Sequence, residues 1–183
     1  SLSHNGIETG RSSNRICVVK MENWLKPDWS TATVLMCHKY YTIADWMAAR
    51  AGEAVETAPY EPKNRINEGP FAIKHNGKYY LTYSSNDYIS PDYAVGCATA
   101  DSPLGEYTKY DHPILRKSET VVGTGHHSFT YSKDLKRIIC VYHKHFSLDS
   151  VEPRMTCIDE AKFDENGVLK VFGPTDTLQN AIY

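Results

Sequence analysis

A succession of short apolar runs separated by turn sequences directs this chain towards an all-β architecture. The clearest turn is the pair Asn76 and Gly77, which lies between two runs rich in apolar and aromatic residues, 71–74 and 78–84. Both positions of a two-residue hairpin turn favour positive φ, which Asn and Gly tolerate, so the pair predicts a β-hairpin. Similar runs predict further strands at 16–21, 33–37, 93–100, 127–132, 138–145, 155–163 and 168–172. Many short strands with regular turns are typical of a sandwich, a barrel or a propeller.

The spacing of the strands is compatible with propeller blades. The order of strand, turn, strand and polar loop recurs about every 50 to 60 residues, which would give about three blades. Residues 41–55 have a helical pattern, because Ile43, Trp46 and Met47 lie roughly on one face, but this run could equally be a loop. We predict a single all-β domain over residues 1–183.

Composition and charge exclude several classes of function. The chain has 183 residues, with 20 Lys and Arg against 22 Asp and Glu, and a net charge of −2. This leaves no basic excess for the phosphate contacts that dominate nucleic-acid affinity. No apolar run approaches the roughly 20 residues of a membrane-spanning helix, and residues 1–15 contain no apolar signal core. We expect neither nucleic acid nor a membrane as a partner.

The cysteines are widely spaced, and each lies in or near an apolar run: Cys17, Cys37, Cys97, Cys140 and Cys157. Their odd number and their spacing match neither a disulfide framework nor the Cys/His pattern of a zinc site. We predict buried free thiols. Free thiols favour a reducing compartment, or a bacterial protein made without oxidative folding.

Glu68 is a candidate for chemistry because of the two residues that follow it. Gly69 lets the backbone turn at little steric cost, and Pro70, which has no N–H, fits at a strand start or edge. A carboxyl group at such a strand mouth can point into a cavity, where apolar neighbours would keep it protonated near neutral pH, as a general acid requires. Taken alone, the same three residues are more simply a turn that exposes a glutamate.

A glycine-rich segment at 122–129 brings two adjacent histidines to the start of a strand. His126 and His127 alternate faces, so only one of them can point inwards. A single histidine of this kind is more often a surface or core residue than a ligand.

Three further polar residues are candidates for ligand contacts. His143 and His145 are two positions apart and share a strand face, so they could bind a metal together, although a third ligand would be required. Arg154 precedes a strand, and its guanidinium fork could clamp hydroxyls or a carboxylate, or it could form a structural pair. Residues 164–167 resemble part of a calcium loop but lack the rest of its spacing, so we interpret them as a hairpin turn.

Together these segments resemble glycoside hydrolase family 43, the five-bladed β-propeller arabinofuranosidases, xylosidases and arabinanases. The motifs occur in the family's order: Asn-Glu-Gly-Pro with its hairpin at 67–85, Gly-Thr-Gly-His-His-Ser-Phe at 123–129, Tyr-His-Lys-His at 142–145, and Arg, Phe-Asp-Glu-Asn-Gly and Gly-Pro-Thr within 154–175. The likeness covers nearly the whole chain. It implies the C-terminal portion of a propeller, with about three blades of four-stranded antiparallel sheet.

The resemblance implies roles for individual residues. Glu68 matches the general acid of the family. His126 matches a histidine of the central channel, which many members associate with calcium, so Ca²⁺ is an expected metal and no organic cofactor is expected. Arg154 stands where members often place a substrate-contacting arginine. His127 is a second candidate for contact with the carbohydrate substrate.

The family's two other essential carboxylates, an Asp general base and an Asp that tunes and orients the acid, are not found in this sequence. The Asp residues before Glu68 are Asp28, in a loop-like Lys-Pro-Asp-Trp sequence, and Asp45, in the possible helix, and neither is assigned as the base. We therefore expect a propeller that lacks its first two blades. Those blades would come from another polypeptide, from a lost N-terminal segment or from self-association, because open strand edges invite pairing.

These expectations lead to two functions. The first is inverting hydrolysis of arabinosyl or xylosyl linkages in plant-type polysaccharides or oligosaccharides, with Glu68 as the acid. The second is a propeller that binds carbohydrate without cutting it. The missing base favours binding, whereas the intact Glu-Gly-Pro favours the enzyme. A scaffold for protein partners is disfavoured by the four motifs. Both the bacterial cytoplasm and secretion stay open, with the free cysteines favouring the cytoplasm.

Overall fold

A computed structural model describes residues 15–37 and 66–179 of the chain. The described residues form ten strands and no helix: β1 (Arg15–Asn23), β2 (Lys26–Cys37), β3 (Asn67–His75), β4 (Lys78–Ser85), β5 (Ala94–Ala100), β6 (Thr108–Lys109), β7 (Gly125–Tyr131), β8 (Ile138–Lys144), β9 (Met155–Phe163) and β10 (Leu169–Val171). The all-β prediction is confirmed. The possible helix at 41–55 lies outside the described residues.

The strands form three antiparallel sheets whose order follows the chain. One sheet contains β3, β4, β5 and β6 in sequence, a second contains β7, β8, β9 and β10, and β1 pairs with β2 alone. Four consecutive antiparallel strands in spatial order are the arrangement of a propeller blade. Of the roughly three blades expected, the described residues therefore contain two four-stranded blades and one two-stranded hairpin.

The hairpin between β3 and β4 has the predicted turn. Asn76 and Gly77 have φ values of 46° and 81°, and His75 pairs with Lys78 across the turn. Both central residues with positive φ are what a type I′ turn requires, and this turn matches the twist of the strands.

The first strands are longer than the sequence predicted, and this corrects the interpretation of Asp28. The expected loop at Lys-Pro-Asp-Trp is part of β2, where Pro27 pairs with Met21 and Asp28 with Lys20. Three register shifts along β1 and β2 accommodate the proline and the polar residues. The Asp28 carboxylate accepts hydrogen bonds from the backbone N–H and the hydroxyl of Ser30, at 3.1 and 2.6 Å.

Two clusters of buried side chains hold the sheets together. One lies between the two blades and joins side chains from both: Ile73, Tyr80, Val95, Cys97, Leu115, Phe129, Cys140, Tyr142, Ala161, Leu169 and Val171. The other attaches the β1–β2 hairpin to the opposite face of the first blade, through Ile16, Met36, Leu81, Tyr83 and Ala98. The blade of β3–β6 is thus covered on both faces, which fixes the position of its edge residues.

Four of the cysteines are free thiols, as predicted, and two of these four are buried. Cys97 and Cys140 are buried, and Cys17 and Cys157 are half-buried. Burial raises the pKa of Cys97 to about 12, so this thiol is neutral at physiological pH. Across residues 15–37 and 66–179 no helix is long and apolar enough to cross a membrane.

Candidate functional site

Glu68 is the second residue of β3, at the N-terminal end of the strand. Pairing with β4 shifts register between Glu68 and Phe71, so the chain bulges over Gly69 and Pro70. Gly69 has a φ of 54°, a backbone conformation that favours glycine. A side chain there would stand 3.6 Å from the His126 ring. The bulge therefore brings Glu68 beside the start of β7 in the next blade.

Tyr93 fixes the carboxyl group of Glu68. Its hydroxyl donates a hydrogen bond to Glu68 Oε1 at 2.7 Å, and the Tyr93 side chain is completely buried. Burial, and then the hydrogen bond to Glu68, raise the pKa of Tyr93 far above its ordinary value, so the hydroxyl keeps its proton. Gly125 makes room for the ring, since a Cβ at that position would overlap it.

Ser84 connects Tyr93 to the second blade. Ser84 lies opposite Glu68 in the β3–β4 pairing and is completely buried. Its hydroxyl accepts a hydrogen bond from the backbone N–H of His126 at 2.8 Å. Its side chain also contacts the Tyr93 hydroxyl, and this contact acts to lower the pKa of Tyr93. No sequence motif marks Tyr93 or Ser84 as site residues, because their partners are distant along the chain.

Three aromatic rings stand in a row beside Glu68. The His143 ring is stacked with Tyr93 at a centroid distance of 5.6 Å and with His126 at 6.4 Å. His126 has a φ of 49° and an exposed side chain. The structure therefore brings Glu68 and His126, both predicted as site residues, to the same edge of the two blades.

Arg154 reaches the same edge from the loop before β9. Its Nη1 lies 3.3 Å from His143 Nε2, its Nε lies 3.3 Å from Glu152 Oε1, and its guanidinium stacks 5.0 Å from the centre of the Tyr88 ring. A guanidinium can only donate, so His143 Nε2 is the acceptor and the imidazole is neutral. Burial, followed by the charge of Arg154, lowers the pKa of His143 to about 4, in agreement with this geometry.

His145 is not part of the row of rings, and its side chain contacts the backbone of a neighbouring loop instead. It is buried, and its Nε2 lies 2.8 Å from the carbonyl oxygen of Tyr88. A Cβ on Gly123, whose φ is 66°, would overlap the His145 ring. His145 therefore anchors the loop that carries Tyr88 to the loop after β8.

His127 faces the opposite side of β7 from His126, as strand alternation requires. Only 6% of it is exposed, and its Nε2 lies 2.6 Å from the Thr82 hydroxyl. The Thr82 hydroxyl donates to the carbonyl of Phe71 at 3.0 Å, so His127 is the donor to Thr82. This burial gives a carbohydrate no access to His127, and the predicted substrate contact has no support from the geometry.

The burial of His127 predicts a loss of stability in acid. Desolvation, followed by the proximity of His126, lowers the pKa of His127 from its ordinary value of 6.5 to about 3. Above pH 6.5 this imidazole is neutral in both the folded and the unfolded states. As the pH falls towards about 3, only the unfolded state gains the proton, so the free energy of unfolding should decrease. We expect urea unfolding across this range to show the decrease, and His127→Gln to flatten it.

The matched control for this prediction is His112→Gln. His112 is exposed, so His112→Gln removes one imidazole without disturbing the packing between the blades. An unaltered acid slope in His127→Gln would contradict the prediction. The pKa of His143 is also lowered, to about 4, so a residual slope of the same sign is expected between pH 6.5 and about 4.

The calcium expected at His126 stays a prediction. Across residues 15–37 and 66–179 no three His, Cys, Asp or Glu side chains are grouped so that they could hold a metal ion. Calcium takes six to eight oxygen ligands, whereas the ring of His126 has the imidazole of His143 as its neighbour. The described residues do not fit a calcium site by themselves, and the mechanism below contains no step through a metal.

The sequence matches a known family over most of its length. The family model "Glycosyl hydrolases family 43" matches residues 5–169. The chain belongs to this family. The motif that contains Glu68 and the motif that contains His126 and His127 lie within the matched range, so the resemblance predicted from the motifs is confirmed.

Individual family 43 relatives cover different parts of the chain. A β-D-galactofuranosidase of Aspergillus niger is 32% identical over 148 residues, a match covering 79% of this chain and 40% of that protein. An extracellular exo-α-(1→5)-L-arabinofuranosidase of Streptomyces avermitilis is 38% identical over 86 residues, covering 43% of this chain and 18% of that protein.

A solved structure of the family supports the fold. The crystal structure of a thermostable family-43 glycoside hydrolase matches with a TM-score of 0.77 at 34% identity, covering 97% of this chain and 53% of that chain. This agrees with the predicted partial β-propeller. The chain spans about half of the solved structure and less than half of the two curated relatives.

Proposed function

We propose that this chain provides the acid side of an inverting glycosidase site that cleaves arabinosyl or xylosyl linkages. The observation that carries the proposal is the carboxyl group of Glu68, which a buried tyrosine holds at 2.7 Å at the open edge of two blades. Arg154 and His126 lie at the same edge, where they can contact sugar hydroxyls. The relatives named for arabinofuranosides and galactofuranosides support a pentosyl or furanosyl substrate.

In the proposed mechanism Glu68 acts as a general acid. Its carboxyl proton moves to the glycosidic oxygen while the bond between that oxygen and the anomeric carbon breaks. Glu68 becomes a carboxylate in this step. Water attacks the anomeric carbon from the opposite face of the sugar, and a second carboxylate takes up the proton of that water. In inverting enzymes the two carboxyl groups are roughly 6.5–9.5 Å apart, which leaves room for the water.

We infer that the second carboxylate comes from further propeller blades. Two carboxylates precede Glu68 among the described residues, those of Glu22 and Asp28. Asp28 is hydrogen-bonded to Ser30, and Glu22 pairs with Lys26 at 2.6 Å. The β1–β2 hairpin exposes several large apolar side chains, namely Met21, Trp24, Leu25 and Trp29. Such a hairpin suits burial against another blade, from the same polypeptide, another chain or a second copy.

A second candidate function is carbohydrate binding without cleavage. What favours it is the sequence, in which the only Asp residues before Glu68 are Asp28 and Asp45 and neither matches the family's general base. Arg154 and the exposed ring of Tyr88 would suffice to hold a saccharide, since aromatic rings and guanidinium groups both contact sugars well. Measured saccharide binding without any turnover would support this function.

The proposed function is tested by hydrolysis of a panel of aryl arabinofuranosides, xylosides and galactofuranosides. Nuclear magnetic resonance should show the first product with the anomeric configuration opposite to that of the substrate. Retention of configuration would contradict the proposed mechanism. The mass of the active species is measured in parallel, and turnover by a monomer of 183 residues would contradict the need for further blades.

A further inference from the structure

A chain of hydrogen bonds runs from the second blade to the candidate acid in one direction. The backbone N–H of His126 donates to Ser84, the Ser84 hydroxyl donates to Tyr93, and the Tyr93 hydroxyl donates to Glu68 Oε1. An amide N–H can only donate, so the first link cannot reverse. The single hydroxyl proton of Tyr93 goes to Glu68 Oε1, so in the contact between Ser84 and Tyr93 the serine hydroxyl is the donor.

This direction distinguishes the two oxygens of the carboxyl group. A hydroxyl that already donates to Oε1 occupies the side on which a proton on Oε1 would lie. We propose that Tyr93, oriented by Ser84, keeps the transferable proton of Glu68 on Oε2. The inference rests on the proposed function of Glu68 as the general acid and states which atom delivers the proton and which residues select it.

The proton balance of the step follows from this assignment. The Oε2–H bond breaks as a bond forms between its proton and the glycosidic oxygen, and the electron pair stays on the carboxylate. The negative charge that develops is shared with Oε1, where the Tyr93 hydroxyl already donates. A donor placed in advance at the atom that becomes charged favours the transition state over the ground state.

The surroundings of Tyr93 make it a rigid positioning residue. Tyr93 and Ser84 are both completely buried. The ring of Tyr93 is held between His143, stacked at 5.6 Å, and Gly125, where a side chain would overlap it. Because this packing holds the Tyr93 ring in place, the Tyr93 hydroxyl should donate to Glu68 Oε1 in every turnover.

Replacing Tyr93 with Phe removes the donor and keeps the ring. In the complete propeller we expect Tyr93→Phe to lower kcat by about 10- to 100-fold for aryl glycosides with phenol-like leaving groups, and to leave KM nearly unchanged. With dinitrophenol as leaving group, which needs no proton, the loss should shrink to about twofold.

Tyr142→Phe is the matched control. Tyr142 is also buried and its hydroxyl also donates to a carboxylate, at 2.6 Å from Asp159 Oδ2, but that pair lies within the second blade. This variant should lower the melting temperature without changing the dependence of the rate on the leaving group. An equal loss on all leaving groups in Tyr93→Phe would overturn the proposal, because that is the result of general distortion.

Ser84→Ala tests the orientation of Tyr93 separately. We expect a loss of about 3- to 10-fold with phenol-like leaving groups in the wild-type background, and no further loss in Tyr93→Phe, because Ser84 acts through the Tyr93 hydroxyl. A loss of the same size in both backgrounds would show that Ser84 acts elsewhere and would overturn its role.

A structural measurement separates this inference from the proposed function. In a crystal structure at atomic resolution and acidic pH, the Cδ–Oε2 bond of Glu68 should be longer than Cδ–Oε1, as in a carboxylic acid protonated on Oε2. The reverse order would overturn the inference even if Glu68 proves to be the acid. If instead Glu68→Gln retains full activity, the proposed function fails whatever the bond lengths show.

Discussion

Glu68→Gln is expected to slow the hydrolysis of phenyl glycosides by on the order of 10²- to 10⁴-fold, the usual contribution of a general acid. Glutamine has nearly the same shape and can still accept the hydrogen bond from Tyr93 through its amide oxygen. It has no proton to give to the leaving oxygen. The binding of saccharides should therefore change little, and kcat should carry the loss. Steady-state kinetics on the panel of aryl glycosides, together with a saccharide titration, measure both quantities.

The control for Glu68→Gln is the same substitution at Glu165. Glu165 is exposed in the turn between β9 and β10, so its replacement should leave kcat and KM unchanged. Dinitrophenyl glycosides give a second check, because they should restore much of the lost rate in Glu68→Gln. A variant with unaltered kcat on phenyl glycosides would exclude Glu68 as the acid. Binding that persists when wild type shows no turnover would favour a binding protein.

Gly125→Ala is expected to cost both stability and activity. The added Cβ would overlap the ring of Tyr93, and that ring is completely buried with His143 stacked beside it. Overpacking of this kind typically costs about 1–3 kcal/mol. Since the ring cannot stay where it is, its hydroxyl should move away from Glu68. We expect a loss of kcat larger than that of Tyr93→Phe, together with a lower melting temperature.

Gly96→Ala separates these two effects. Its Cβ would overlap the ring of Tyr83, another completely buried tyrosine, which belongs to the cluster beneath the β1–β2 hairpin. A similar fall in melting temperature is expected, measured by calorimetry, with much less effect on kcat per folded molecule. If both glycine variants lost activity in proportion to stability alone, the close approach of Gly125 to Tyr93 would have no specific role in the site.

Features that depend on neighbouring residues could be predicted from the sequence. The hairpin at Asn76 and Gly77 is determined by the φ preferences of two residues, and β9 has the predicted bounds because apolar residues and flanking turns define it locally. The prediction of a loop at Asp28 was wrong, because Lys-Pro-Asp-Trp has the composition of a loop but lies within β2. Pairing with β1 outweighs that preference.

The site was predictable only in part, for a related reason. Glu68 and His126 were found because each belongs to a motif. Tyr93 and Ser84 resemble ordinary strand residues, and their roles depend on contacts with residues 25 and 42 positions away. His127 has the same chemical character as His126, and strand alternation shows that they diverge without showing which one is buried. That choice is made by the packing of the two blades.

The hydrogen bond between the His126 amide and Ser84 joins the surroundings of Glu68 to the second blade. Glu68, Tyr93 and Ser84 belong to the first four-stranded sheet and its loops, whereas the amide that starts the hydrogen-bond chain belongs to the second. A folding intermediate with the first blade formed alone would contain the carboxyl group but not the directed hydroxyl. Under the proposed function, the alignment of the proton donor would be completed only when the two blades dock, since the amide of His126 reaches Ser84 across the seam between them.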